Sequence, residues 1–133
     1  MSYKDELIRD YLYENFDEEI VEEFMMFLDS VEDGIDSIIS NLKDDIELIN
    51  ELFRIFHNLK SATSFLKIDR IKNFAHLVEN VLEKLRDDPS KINDEVIDWL
   101  FLVADMFHKW YEEIDNNKIL SPINPKILKF PKV

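Results

Sequence analysis

Leu48-Ile49-Asn50-Glu51-Leu52-Phe53-Arg54-Ile55-Phe56-His57-Asn58-Leu59-Lys60-Ser61-Ala62 carries two overlapping apolar stripes. Ile49, Leu52, Phe53 and Phe56 form one; Leu48, Leu52, Ile55, Leu59 and Ala62 form the other, both at helical spacing. Two adjacent stripes mean a broad buried face, so a helix from about Asp45 to Leu66 is expected at the centre of a helical core.

Three further segments repeat the period. Val21, Phe24, Met25, Leu28, Val31, Ile35, Ile38, Ile39 and Leu42 predict a helix from about Asp17 to Leu42. Gly34 interrupts it at a cost of about 1 kcal/mol relative to alanine. Asp69 reads as an N-cap ahead of Ile71, Phe74, Ala75, Val78, Val81, Leu82 and Leu85. From about Asp94 to Ile114 the stripe is Ile97, Leu100, Phe101, Ala104, Phe107, Tyr111 and Ile114. The connections near 42–45, 66–69 and 87–94 are short, which predicts an all-α, up-down-up-down four-helix bundle over residues 17–116. Residues 1–16 are expected to add a short capping helix over 4–14, with Leu7, Ile8, Tyr11 and Leu12 inward. Pro122, Pro125 and Pro131 keep residues 117–133 extended, as a docked strap or a linker stub.

Composition narrows the chemistry. The chain has 133 residues, one domain's worth, with 46% hydrophobic and 34% charged residues. A single glycine leaves no material for a glycine-rich phosphate loop, and the absence of cysteine removes disulfides, thiolate nucleophiles and thiolate zinc sites. No cofactor is expected. Neither a signal-peptide core nor an 18-residue apolar run is present, so a cytoplasmic location is expected. The net charge of −13 opposes binding to nucleic acid or an anionic membrane. Its distribution is uneven. Residues 1–51 carry 3 basic and 17 acidic side chains. Residues 52–76 reverse the sign, with Arg54, Lys60, Lys67, Arg70 and Lys72 against Asp69 alone, a candidate anion-contact island.

The histidines are His57, His76 and His108. His57 lies about 100° round its helix from Phe56, at the edge of the buried face, with Lys60 and Ser61 one turn on. An imidazole so placed is held on its apolar flank and open to solvent. Lys60 would offset an anion and Ser61 would leave room for a partner, an arrangement suited to a nucleophile for a phosphoryl group. On the next helix His76 and Glu79 are spaced i, i+3. If the two helices are antiparallel neighbours, Glu79 is placed to accept from Nδ1–H of His57, leaving Nε2 free to attack. A di-iron site is disfavoured by the reversed order and by the lack of a second pair, and no glycine-framed Ser/His/Asp arrangement suggests a hydrolase.

The stretch Leu52 to Ala62, with its His57-x-x-Lys60 core, resembles the His-x-x-Lys-Gly signature of histidine phosphotransfer (HPt) domains, most closely the N-terminal domain of CheA-type chemotaxis kinases. Phe65-Leu66 and His76-Leu77-Val78-Glu79 match the turn and second motif that follow, and the similarity extends over about residues 20–115. The resemblance implies a phosphoacceptor at His57, a phosphoryl-assisting Lys60, an imidazole-orienting Glu79, and His76 and Ser61 in a surrounding polar network. It also implies phosphate arriving from a histidine kinase ATP-binding domain and leaving to a response-regulator receiver aspartate. Arg54, Asn58, Phe65 and Lys67 are the expected partner-docking surface of a monomer. Two positions depart from the family pattern: Ser61 replaces the glycine after the lysine, and Lys67 replaces a glycine in the following turn. A non-catalytic docking module that binds such partners without phosphorylation is the alternative.

Overall fold

The computed structural model describes all 133 residues. Its helices are α1 (Ile8–Asn15), α2 (Glu18–Asn41), α3 (Leu48–Phe65), α4 (Asp69–Asp87) and α5 (Asp94–Asp115), with 3-10 turns at Pro89–Lys91 and Pro125–Leu128. The all-α bundle is as expected. Phe53 and His57 of α3 meet Arg86 and Glu79 of α4. Tyr111 and His108 of α5 meet Asp29 and Glu32 of α2. In both pairs rising numbers on one helix face falling numbers on the other, so the pairs are antiparallel. One contiguous core of 35 buried residues runs through the bundle, and no helix is long and apolar enough to cross a membrane.

Two expected helix starts shift. Residues 45–50 turn through short i to i+3 hydrogen bonds, and the Asp45 carboxylate accepts from the Glu47 amide at 3.2 Å. The α-helix therefore begins at Leu48. Asp69 is the first residue of α4 rather than its N-cap. Its carboxylate pairs with Lys72 at 3.4 Å and lies at the positive end of the helix dipole.

The N-terminal helix is shorter than the sequence suggests, and Leu7 is exposed. Asp5 has φ 49°, which breaks the helix, while Tyr3 is buried, donates to Glu6 O and accepts from Leu120 N. α1 has no capping side chain of its own. Asn117 supplies one from the far end of the chain, accepting from the amides of Arg9 (2.9 Å) and Asp10 (3.3 Å).

The Pro-containing tail is docked. Trp99 Nε1 donates to Ile127 O (2.9 Å) and Trp110 Nε1 to Ser121 O (2.8 Å). Ser121 donates from its amide and hydroxyl to the buried Glu113 carboxylate. The strap explains why α5 buries Val96, Trp99, Val103, Met106 and Trp110, a face absent from the stripe expected for this helix. Ile97, Phe101 and Tyr111 of that stripe are only half-buried.

The α3–α4 turn is a Schellman motif: Ile68 N donates to Thr63 O (2.9 Å) and Lys67 N to Ser64 O (3.2 Å). Lys67 sits in the left-handed region at φ 56°, where a Cβ is disfavoured and glycine is not. The lysine that departs from the resembled family's turn thus occupies a position whose backbone favours glycine. Lys67→Gly should stabilise the protein by about 0.5–1 kcal/mol, raising the urea midpoint without changing the m-value.

His108 bridges α5 to α2 through Glu32 (2.5 Å) and Asp36 (2.9 Å). Burial lowers its pKa, but the two carboxylates outweigh burial and hold it above the ordinary histidine value. A raised histidine stabilises below its unfolded pKa and loses that contribution as pH rises through the folded value. His108→Gln should therefore be destabilising at pH 6 and progressively less so above pH 7, as measured by urea denaturation across pH.

Candidate functional site

Helices α3 and α4 bring together three of the residues singled out from the sequence. The His57 Nδ1 lies 2.6 Å from Glu79 Oε2, and Lys60 Nζ donates to Glu79 Oε1 at 2.6 Å. Glu79 is only 7% exposed, whereas the His57 side chain is 53% exposed. The carboxylate is thus the buried anchor and the imidazole the accessible end. Bonding to an ionised carboxylate favours the tautomer with the proton on Nδ1, leaving the Nε2 lone pair without a protein partner.

The electrostatics follow from the two donors. Burial is the largest single influence on Glu79 and pushes its carboxyl up. The hydrogen bonds and charges of Lys60 and His57 together outweigh it and hold the group below the ordinary glutamate range. The site therefore keeps a carboxylate, not a carboxylic acid, beside the imidazole at neutral pH.

Phe53, expected only as a core residue, also belongs here. Its ring is near-parallel to that of His57, with planes 10° apart and centroids 6.2 Å apart. Arg86 of α4 places its guanidinium carbon 4.3 Å from the Phe53 centroid. The i, i+4 spacing of Phe53 and His57 was visible in the sequence; the approach of Arg86 depends on how α4 packs.

The wider polar network expected around the imidazole is smaller in the structure. His57 and Lys60 occupy the two Glu79 oxygens, and neither His76 nor Ser61 hydrogen-bonds to any of the three. His76 is exposed and lines a separate cleft with Asn73, Asn80 and Lys84 beside Phe130–Val133. Ser61 lies with Asn58 and Phe65 along an apolar groove between α3 and the Ile20, Phe24 and Phe27 face of α2. Phe65 is 60% exposed there. The basic island is also partly internal: Lys60 is held by Glu79, Arg70 by Asp5 and Lys72 by Asp69. Arg54 and Lys67 are exposed and make no ion pair.

Residues 23–116 match the Hpt domain family. The chain belongs to that family. Hpt domains are phosphocarrier modules rather than catalytic domains. The chain is similar to "Sensor histidine kinase CheAY" of Helicobacter pylori, at 27% identity over 67% of this chain and 12% of that protein. It is also similar to "Chemotaxis protein CheA" of Borreliella burgdorferi, at 29% identity over 80% of this chain and 13% of that protein. The CheA of Bacillus subtilis is 25% identical over 62% of this chain and 13% of the relative. The chain thus spans about an eighth of the length of these relatives. No solved structure matches it.

Within this Hpt domain the Glu79 charge links stability to acidity. A carboxyl lowered by folding stabilises above its unfolded pKa, and that contribution disappears as pH falls through the folded value. Glu79→Gln should cost about 1–2 kcal/mol at pH 7, the loss of hydrogen bonds to charged groups. The gap from wild type should narrow as pH falls below about 4. Parallel denaturation curves at all pH values would refute this account of the buried charge.

Proposed function

We propose that this chain is a histidine phosphotransfer module that accepts a phosphoryl group on His57 Nε2 from the ATP-binding domain of a histidine kinase and passes it to an aspartate of a receiver domain. The observation that carries this reading is the exposed imidazole held through Nδ1 by a buried carboxylate. The names of the CheA relatives support a role in chemotaxis-type two-component signalling.

The chemistry follows from the geometry. The Nε2 lone pair attacks the γ-phosphorus of ATP, the N–P bond forms, and the bond to the bridging oxygen breaks with its electron pair leaving on ADP. The ring still carries the Nδ1 proton and gains positive charge, which the Glu79 carboxylate opposes at 2.6 Å. In the onward step a carboxylate oxygen of the receiver attacks phosphorus, and the N–P electrons return to Nε2. The Nδ1 proton remains in place throughout.

Lys60 acts in this scheme mainly through Glu79. Its ammonium is hydrogen-bonded to the carboxylate and keeps it ionised; its positive charge also lies one helical turn from the incoming phosphoryl group. Phosphoryl-assisting remains its assigned role, with the Glu79 contact as the means of placing the charge. The groove of Asn58, Ser61 and Phe65 between α2 and α3, flanked by exposed Arg54 and Lys67, suits a receiver that presents an apolar patch beside its acidic pocket. Ser61, exposed on this groove, is small enough to leave room for that partner. A nucleotide is supplied by the kinase partner, not by this domain.

Labelled ATP and a panel of histidine kinases test the reading. Wild type should acquire acid-labile, alkali-stable label, and His57→Gln should acquire none. Lys60→Ala should stay folded and label roughly tenfold more slowly. Absence of label with every competent kinase would instead support a docking module that binds its partners without phosphorylation.

A further inference from the structure

We infer that Phe53 is a positioning residue for the His57 imidazole, and that Arg86 reaches across from α4 to fix the Phe53 ring in that role. The inference rests on His57 as phosphoacceptor and adds the means by which its ring plane is set.

A single hydrogen bond does not orient a ring. With Nδ1 tethered to Glu79 Oε2 at 2.6 Å, the imidazole can still swing about the line joining those atoms, and each swing redirects the Nε2 lone pair. In-line attack on phosphorus tolerates little misdirection, because a misplacement of about 1 Å can cost on the order of a hundredfold in rate. A second contact, off that line, removes the remaining freedom. Phe53 provides it: one turn before His57 on the same helix, its ring lies within 10° of parallel to the imidazole plane. The 6.2 Å centroid separation is an offset stack, within the range that aromatic pairs favour.

Phe53 is itself only half-buried, so packing alone leaves its ring some freedom. Arg86 limits that freedom. Its guanidinium lies over the ring at 4.3 Å from the centroid, and Arg86 makes no ion pair that would draw it elsewhere. Glu79 and Arg86 are seven residues apart on α4, on the same helical face. That one face therefore holds the imidazole twice, directly through Nδ1 and indirectly through Phe53.

The nitrogen-15 signals of the His57 ring, read in long-range proton–nitrogen spectra, give a measure independent of phosphotransfer. Wild type should show one tautomer protonated at Nδ1, with ring protons displaced by the Phe53 ring current. Phe53→Leu should retain the fold by circular dichroism and the Nδ1-protonated signal, lose the ring-current displacement, and accept phosphoryl about tenfold more slowly. Phe53→Tyr, which keeps an aromatic face, should restore both. Arg86→Gln should produce a smaller change in the same direction.

Wild-type rates and unchanged ring-proton shifts in a folded Phe53→Leu would overturn the inference. So would a rate loss that Phe53→Tyr fails to rescue, which would make Phe53 a packing residue only. If wild type accepts no phosphoryl group at all, the phosphoacceptor reading fails, while the spectra still decide whether Phe53 orients the ring.

Discussion

Burying a carboxylate away from water is costly unless its charge and lone pairs are met within the protein, and Glu79 meets that condition with one donor on each oxygen. The consequence is structural before it is chemical. His57 and Lys60 stand one turn apart on α3, and both must reach the same side chain of α4. Apolar stripes alone tolerate a slide of one helix past another by a turn, since leucines and phenylalanines are interchangeable in kind. The carboxylate does not tolerate it, because a slide would leave a buried charge unpaired. The Phe53–Arg86 contact lies in the same register two turns further along α4. Polar pairing thus selects one alignment from several that hydrophobic packing would accept.

The same arrangement divides labour between core and surface. One side of α3 is closed by α2 and α4, with Leu52, Phe56 and Leu59 buried, and this rigid seat holds an imidazole that is itself open to solvent. A nucleophile for a macromolecular partner needs that combination: a fixed base and an unobstructed tip. Part of the acidic excess of the first half lies on the outer side of α2, where Glu18, Glu19, Glu22, Glu23 and Asp33 are exposed. It is a solvated face. Lys60, Arg70 and Lys72 are engaged within the protein, whereas Arg54 and Lys67 stay exposed and make no ion pair.

Both ends of the chain converge on the bundle. Asn117 caps α1, Tyr3 bonds to Leu120, and Arg70 of α4 joins them by donating to Leu120 O and pairing with Asp5. They tie the N-terminal segment, α4 and the tail to one another. Each is a pairing between residues fifty or more positions apart, for which no local pattern exists in the chain.

The helical class, the four principal segments and the antiparallel order were legible because apolar periodicity and short connections are local properties. Of the site, His57, Lys60 and Glu79 were legible for a related reason: each sits at the margin of a stripe, and helical geometry turns sequence spacing into direction. The expectation of a wider network through His76 and Ser61 did not hold, since spacing shows which residues share a face but not which atoms remain free to bond. The start of α3 and the length of α1 were misread where side chains and distant backbone compete with helix formation. The sequence by itself determined which faces are buried and which residues flank the imidazole, because both depend on a period of a few residues. Only the tertiary structure decided the Glu79 alignment, the Arg86–Phe53 clasp and the docking of the tail, because each depends on the distance between segments that the chain brings together only on folding.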